Sequence, residues 1–217
     1  MDSSPSALTA LQQDLIREFF ARDQRFFLTG GAALAGFHLK HRGTEDLDLF
    51  SPPGVDLDDA ALNLRDAAAA CAATMESLRR ARDFHRYLVR RNAETCLVDL
   101  VVDRAPGLVA EKLQIGPVRL DPLREIAANK ICTLLGRVEM KDLIDVRSLL
   151  AAGVDLRQAM EDAERKDAGV NAAMLAFLLE DEAAWDFEPG PADGLAAFRR
   201  ELARQLRAIA FEQTRRR

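Results

Sequence analysis

The spacing of apolar residues divides this sequence into two halves that meet near residue 121. In the first half, segments with helical spacing alternate with short apolar runs typical of β-strands, whereas nearly all of the second half has helical spacing. The pattern predicts an α+β protein. A β-sheet with flanking helices is expected over residues 1–121, followed by a helical domain over residues 122–217.

The predicted elements alternate between helix and strand until the second half begins. Apolar residues from Leu8 to Phe20 predict an amphipathic first helix. The other predicted elements of the first half are a strand at 26–29, a helix at 32–41, a strand at 47–50, a helix at 57–81 and strands at 84–91, 95–102 and 118–120. Helices are predicted in the second half at 122–136, 140–151, 155–166, 170–181 and 194–213.

Two short motifs flank the second predicted helix. Gly30 and Gly31 follow the first strand, where glycines let the backbone approach a ligand and where N–H groups at a helix start favour an anion. Asp46 and Asp48 belong to the next strand, whose side chains alternate between faces, so both carboxylates share one face. The helix between the motifs has the length to bring the second strand back beside the first. We therefore expect both motifs in one pocket.

The two carboxylates indicate a divalent cation. Like charges two positions apart on one strand repel each other unless a cation lies between them. Carboxylate oxygens suit Mg²⁺, which binds one or two carboxylates together with substrate phosphates. Taken singly, a Gly-Gly pair is usually a turn, and an Asp-x-Asp pair often lies on an exposed edge. Together, at this spacing, they favour a phosphate and metal site.

The segment from Leu28 to Phe50 resembles the signature of a known family. An apolar strand, Gly-Gly, a helix and then Arg-Gly-Thr-Glu-Asp-Leu-Asp-Leu-Phe are similar to the DNA polymerase β-like nucleotidyltransferase superfamily, and within it to the AbiEii/AbiGii toxin group. Looser matches follow at Ile126–Lys130 and Lys141–Val146. The resemblance covers roughly residues 26–150. It implies a nucleotidyltransferase-type mixed sheet whose active-site cleft is completed by the helical domain.

The resemblance implies a role for each acidic residue of the sheet. Asp46 and Asp48 would bind two Mg²⁺ (or Mn²⁺) ions that hold the triphosphate of an NTP. Superfamily members supply a third carboxylate from a later strand. Asp99 is the candidate because it interrupts an apolar strand, where an unpaired acid is costly to bury. Asp103, at the end of that strand, is the alternative ligand, and Asp99 would then be an ordinary paired acid.

The resemblance also implies nucleotide-binding residues around the glycine turn. Gly30 and Gly31 would lie against the nucleotide, and Thr44 takes a position where serine is common in the family. Arg42, just before the acidic pair, has two open interpretations: a contact to phosphate, or an ion pair with Glu45.

The helical half contributes the remaining implied site residues. Lys130 would contact the nucleotide and neutralise phosphate charge as pyrophosphate leaves. Asp142 and Asp145 are neighbours on a helix, and one of them would position Lys130 or the acceptor. Lys130 and Asp142 thereby join the catalytic group, and Lys130 and Asp145 join the nucleotide-binding group. Both functional interpretations have an open alternative. In the first alternative Lys130 is a surface lysine whose stem covers apolar area. In the second, Asp142 and Asp145 form ion pairs with Lys141 or Arg137.

Composition indicates the cellular compartment and the charge distribution of the protein. No apolar run approaches the roughly 20 residues that cross a membrane, and the three cysteines are an odd number at wide spacing. We expect reduced thiols in a cytoplasmic protein. The net charge is −5, yet seven arginines and two glutamates follow from Arg199 onward. This basic end is either a solvated helix end or a contact for a phosphate backbone.

The combined expectation is a Mg²⁺-dependent nucleotidyltransferase that moves a nucleoside monophosphate from an NTP to an acceptor. Resemblance to the toxin group implies an RNA acceptor, such as the 3′ end of tRNA, and an antitoxin protein as partner. Two alternatives remain. One is the same chemistry on a protein hydroxyl or on a small molecule such as an aminoglycoside. The other is a catalytically silent nucleotide-binding module, against which the three retained acids count.

Overall fold

The computed structural model describes residues 7–137, 139–181, 185 and 194–216. These residues form two compact units. The first contains the described residues up to Arg104 together with Val109–Pro122, and the second contains Ala105–Leu108 together with the described residues from Leu123 onward. The first unit consists of a seven-stranded mixed sheet with flanking helices, and the second consists of helices. The predicted fold class is confirmed.

The sheet places the acidic strand at its centre. The strands are β1 (Phe27–Thr29), β2 (Asp46–Ser51), β3 (Thr74–Ala81), β4 (Phe84–Arg91), β5 (Glu94–Val102), β6 (Leu113–Ile115) and β7 (Val118–Leu120). They lie across the sheet in the order β3-β4-β5-β2-β1-β7-β6. Strand β2 pairs antiparallel with β1 and parallel with β5, so it has neighbours on both sides.

The first helix, α1 (Ala10–Arg22), is tied directly to the acidic motif. A capping box starts it, in which the Thr9 hydroxyl accepts from the Gln12 N–H and the Gln12 side chain accepts from the Thr9 N–H. The buried Gln12 side chain also donates to the carbonyl oxygen of Thr44 at 2.9 Å. Apolar residues of the same helix, among them Phe19, are buried in the core. The loop that precedes β2 is thus held by the packed end of α1.

The prediction of one helix over residues 57–81 is wrong for the second half of this range. The helix α3 (Leu57–Ala70) ends early, and residues 74–81 form β3, an edge strand paired with β4. Ala72 has a φ of 53°, a left-handed conformation that turns the chain out of the helix. Nearly all of β3 is exposed, so it lacks the alternation of apolar and polar residues by which strands are recognised. The short strand β6 was not predicted either.

The segment predicted as one helix at 32–41 consists of the end of a short α-helix and a π-helical segment. A short helix, α2 (Gly30–Ala33), starts at the glycines and continues as a π-helical segment, Leu34–Leu39. A Cβ atom on Gly36 would lie 2.4 Å from Leu8 Cδ1, so this segment packs closely against the start of the chain. Lys40, with a φ of 51°, ends it.

The second unit contains five helices in its described part, at the places where the sequence predicts them. They are α4 (Leu123–Gly136), α5 (Met140–Ala151), α6 (Leu156–Lys166), α7 (Ala172–Glu180) and α8 (Leu195–Arg216). Arg124 and the buried Asp162 join α4 to α6 through two hydrogen bonds of 2.6 and 2.8 Å. No helix of the described ranges is long and apolar enough to cross a membrane.

Several arginines of the basic C-terminal helix are held by groups of their own unit. Arg199 is buried and donates to the carbonyl oxygen of Leu179. Arg204 pairs with Glu201 within α8, and Arg207 pairs with Glu180 at the end of α7. These contacts favour the structural interpretation of the basic end for these three residues.

Candidate functional site

One row of residues crosses the centre of the sheet at the level of the acidic strand. Thr29 on β1 pairs with Asp48 on β2. Asp48 pairs in turn with Asp99 on β5, and Asp99 pairs with Arg86 on β4. Paired residues project from the same face, and neighbouring strands lie about 4.8 Å apart. Asp46 shares this face with Asp48, so the first unit brings all three predicted carboxylates to one face.

Gly30 lies against the carboxylate of Asp48. Its φ is +61°, and a Cβ atom built on it would lie 2.0 Å from Asp48 Oδ2. A residue with a side chain cannot occupy this position without moving the carboxylate, and the left-handed backbone also favours glycine. The glycine turn and the acidic pair therefore share one pocket, as the motif spacing predicts.

Gly31 lies against the other two residues predicted to bind the nucleotide. A Cβ atom on Gly31 would lie 3.0 Å from Thr44 Oγ1 and 3.1 Å from Arg42 Nη2. Arg42 also donates from Nη1 to the carbonyl oxygen of Gly43 at 2.8 Å. The structure thus brings Gly31, Arg42 and Thr44 together next to Gly30. Their predicted contacts with a nucleotide stay predictions.

Thr29 has a buried hydroxyl that lacks a protein partner. The residue is 3% exposed, and its Oγ1 has no hydrogen-bond partner among the described residues. A buried polar group without a partner destabilises a fold by about 1–3 kcal/mol, so such atoms in native proteins usually have a ligand or water partner. Its paired neighbour is Asp48. Thr29 was not predicted as a site residue, because nothing in the motif distinguishes it from an ordinary strand residue.

The residues on this face fit a divalent cation. Asp46 and Asp48 are half-buried carboxylates on one side of β2, and the partnerless Thr29 oxygen adds a hard donor beside them. In the part of the chain that the structure describes, no group of three or more His, Cys, Asp or Glu side chains is arranged to hold a metal ion. The fit therefore rests on the pair of carboxylates.

Asp99, the predicted third carboxylate, is engaged by an arginine. It is 5% exposed, and it accepts from Arg86 Nε at 2.8 Å and from Arg86 Nη2 at 2.7 Å. These hydrogen bonds raise the pKa of the Arg86 guanidinium above its ordinary value, against the opposing effect of burial. The role of Asp99 as a metal ligand stays a prediction. Asp103 lies beyond the end of β5, where its N–H donates to the carbonyl oxygen of Ser51 at 2.8 Å.

In the second unit, Lys130 on α4 is buried between two carboxylates of α5. Its Nζ lies 2.9 Å from Asp142 Oδ1 and 2.7 Å from Asp145 Oδ2. Lys130 is 5% exposed and both acids are 0% exposed, so Lys130 is not a surface lysine. The structure brings these three predicted residues together. Their predicted roles toward a nucleotide or an acceptor stay predictions.

The two alternative partners of these acids behave differently. Arg137 donates from Nε to Asp142 Oδ2 at 2.8 Å, and its side chain is half exposed. Lys141 pairs instead with Glu139 at 3.0 Å. Asp142 is therefore shared between Lys130 and Arg137, which makes it the central acid of the cluster.

We expect Thr29→Val to leave the fold as stable as the natural protein, or to stabilise it by up to about 1 kcal/mol, because it removes a buried hydroxyl that has no protein partner. If a ligand uses this oxygen, the same change weakens binding of a non-hydrolysable NTP severalfold. Urea unfolding and isothermal titration calorimetry measure the two effects. Thr9→Val is the control, since it removes a helix cap and should destabilise by about 1 kcal/mol. An equal loss of stability in both variants would contradict this prediction.

A central acidic strand beside a Gly-Gly turn, in a mixed sheet followed by a helical unit, is the arrangement of a nucleotidyltransferase fold. The sequence model of the nucleotidyl transferase AbiEii toxin family, of the type IV toxin–antitoxin system, matches residues 13–217, and the chain belongs to this family. The resemblance inferred from the motifs is confirmed.

Solved structures share this fold. The structure of MenT4, a nucleotidyltransferase toxin from Mycobacterium tuberculosis, matches with a TM-score of 0.63 and 15% sequence identity, over 94% of this chain and 84% of that one. The structure of JHP933 from Helicobacter pylori matches with a TM-score of 0.57 and 18% identity, over 94% of this chain and 92% of the other. No curated protein matches the chain. At these identities the likeness shows the fold, and the chemistry has to be argued from the site.

Proposed function

We propose that this protein transfers a nucleoside monophosphate from an NTP to an RNA acceptor such as tRNA, with a divalent cation bound at Asp46 and Asp48. As a member of a toxin family, it acts in this proposal as the toxin of a toxin–antitoxin pair and is restrained by an antitoxin protein. The observation that carries the proposal is the contact between the Gly30 backbone and the Asp48 carboxylate.

This contact supports a phosphate and metal site for a physical reason. The glycine lets the main chain pass within van der Waals distance of a carboxylate. A metal ion bound by this carboxylate would hold a triphosphate next to the main-chain N–H donors of the glycine turn. Asp46 on the same face supplies the second carboxylate, and a hard cation prefers such a pair.

In this proposal each residue of the site has a separate role in the transfer reaction. Asp46 and Asp48 hold the cation, which when bound supplies positive charge to the triphosphate and acidifies an attacking hydroxyl. Gly30 and Gly31 allow the nucleotide to approach the main chain. Thr44, fixed through its carbonyl oxygen by Gln12, keeps the loop before β2 in one position. The rigid site lowers the entropy lost when the reacting groups are aligned.

Transfer of label from each α-³²P-NTP to total bacterial RNA, in the presence of Mg²⁺, tests this function. We expect the natural protein to label RNA and Asp48→Asn to reduce labelling by at least about 100-fold, because it removes charge from the metal pair. The matched control is Glu45→Gln, which removes one charge from an exposed neighbouring position. Glu45→Gln should label RNA as the natural protein does.

The other outcomes separate the alternatives. Label on the protein itself, or on an added small-molecule acceptor, would replace the RNA acceptor and keep the chemistry. Nucleotide binding without label on any acceptor would favour a silent nucleotide-binding module. Equal labelling by the natural protein and Asp48→Asn would refute the metal site. Release of growth inhibition by a co-expressed partner protein tests the antitoxin separately.

A further inference from the structure

The geometry points to Arg86 as a residue that binds the triphosphate of the NTP. In this inference Asp99 does not hold a metal ion. It is a positioning residue that fixes the Arg86 guanidinium beside the acidic pair, and the site takes one divalent cation, at Asp46 and Asp48. The inference rests on the proposed function, which it deepens by assigning the phosphate contact.

The contacts of Arg86 leave half of its guanidinium for a ligand. Arginine has five N–H donors, and two of them form the fork with Asp99. The other three, on Nη1 and Nη2, have no hydrogen-bond partner in the ranges that the structure describes. The Arg86 side chain is 40% exposed whereas that of Asp99 is 7% exposed, so the pair is buried on the carboxylate side and open on the arginine side. A planar group anchored in this way suits a bidentate contact to phosphate.

The position of Arg86 in the sheet favours the triphosphate. Arg86 projects from the face that carries Asp48, two strands away in the same row. Neighbouring strands are about 4.8 Å apart, and the fork with Asp99 holds the Arg86 guanidinium at a carboxylate of the intervening strand β5, one strand spacing from Asp48. The Arg86 guanidinium also lies 5.5 Å from the centroid of the Phe84 ring, a second contact that restricts its position. A phosphate chain on a cation at Asp48 therefore lies within reach of the remaining donors.

The charges on this face fit one divalent cation better than two. Asp99 is already neutralised by a two-bond contact with Arg86. A metal ion at Asp99 would have to share this buried carboxylate with the arginine, whose positive charge already lies against both of its oxygens. With the fork intact, the charge of Asp99 is already used, so the cation has only Asp46 and Asp48 as ligands among the three acids, and Arg86 keeps its remaining donors for phosphate.

The number of bound cations is the first test. Mn²⁺ binding, measured by electron paramagnetic resonance in the presence of a non-hydrolysable NTP, should give one ion per protein. Asp99→Asn should leave this number unchanged, whereas Asp48→Asn should abolish the site. Two ions per protein, one of which is lost in Asp99→Asn, would overturn the inference.

The affinity for nucleotide is the second test. Arg86→Gln should raise the Kd of a non-hydrolysable NTP at least about tenfold, since hydrogen bonds to charged groups contribute this much or more. The Kd of the matching nucleoside monophosphate should change much less, which a loss of general stability would not explain. Arg86→Lys should recover only part of the affinity because it lacks the fork. Asp99→Asn should raise the NTP Kd in the same direction.

Arg90→Gln is the matched control. Arg90 projects from the same face of β4, and it pairs with the exposed Glu76 instead of an acid of the row. Its substitution should leave the NTP Kd unchanged. An unchanged Kd in a folded Arg86→Gln variant would overturn the inference, whereas the proposed function would stand as long as Asp48→Asn abolishes transfer. Loss of affinity in Arg86→Gln and Arg90→Gln alike would also overturn it.

Discussion

Lys130→Met should destabilise the helical unit by about 3–5 kcal/mol. The substitution leaves Asp142 and Asp145 buried without the ammonium group that lies within 3 Å of both. Removing one partner of a buried ion pair leaves an uncompensated charge in a medium that solvates it poorly. Arg137 still donates to Asp142 in this variant, so part of the charge of that acid stays compensated. Urea unfolding followed by circular dichroism measures the effect.

Two further variants make this expectation specific. Lys141→Met on the neighbouring helix α5 removes a lysine that is half exposed and paired with Glu139, and it should change stability by less than about 1 kcal/mol. In the triple variant Lys130→Met/Asp142→Asn/Asp145→Asn the buried charges are removed together, so a large part of the stability should return. A Lys130→Met protein as stable as Lys141→Met would show that the cluster contributes little.

The same triple variant separates structure from chemistry for the cluster of Lys130, Asp142 and Asp145. If the three residues only stabilise the helices, the refolded triple variant should transfer nucleotide as the natural protein does. If the cluster also acts on the nucleotide or the acceptor, as the family resemblance implies, activity should stay low after stability has returned. Comparing label transfer with unfolding free energy in one set of variants therefore decides between a structural and a catalytic role of the cluster.

Gly30→Ala should have the second large effect. The Cβ atom would lie 2.0 Å from Asp48 Oδ2, so the carboxylate, the main chain or both must move. The left-handed φ of +61° adds about 1–2 kcal/mol of strain for any residue with a side chain. We expect a loss of stability larger than this strain, and label transfer reduced at least about tenfold because Asp48 no longer holds its position.

Gly116→Ala is the control that isolates the backbone strain. Gly116 has nearly the same φ, +57°, and a Cβ atom on it would meet nothing within 4 Å. Its substitution should lower the unfolding free energy by about 1–2 kcal/mol and leave transfer intact. Equal losses of stability and activity in Gly30→Ala and Gly116→Ala would mean that the contact between Gly30 and Asp48 is not needed for transfer.

The centre of the sheet could be predicted from the sequence because its signals are local. Asp46 and Asp48 share a face through simple alternation, and the glycines mark the turn beside them. The pairing of Arg86 with Asp99 was also within reach. Asn92 lies in the tight turn between β4 and β5, and counting outward from this turn pairs these two residues. The fork between Arg86 and Asp99 follows from this register but was not among the predictions.

Other features could not be predicted because they depend on tertiary contacts. Residues 67–81 consist largely of alanine, leucine, arginine and other good helix formers, so local propensity favours a continued helix. Pairing with β4 overrides this propensity beyond Ala72. Likewise, nothing in the sequence indicates that the Thr29 hydroxyl is buried without a partner, since that depends on which groups fold around it.

The edge strand β3 has a consequence for how this protein behaves at high concentration. An exposed edge offers unpaired N–H and C=O groups to any other strand, which is the usual start of aggregation. Along β3 the register shifts between Ser77 and Arg79, and charged side chains at Glu76, Arg79 and Arg80 stand on the open edge. The irregular backbone and the charges both oppose the addition of a foreign strand. The polar and irregular pattern that made β3 difficult to predict is thus also the feature that opposes aggregation at this edge of the sheet.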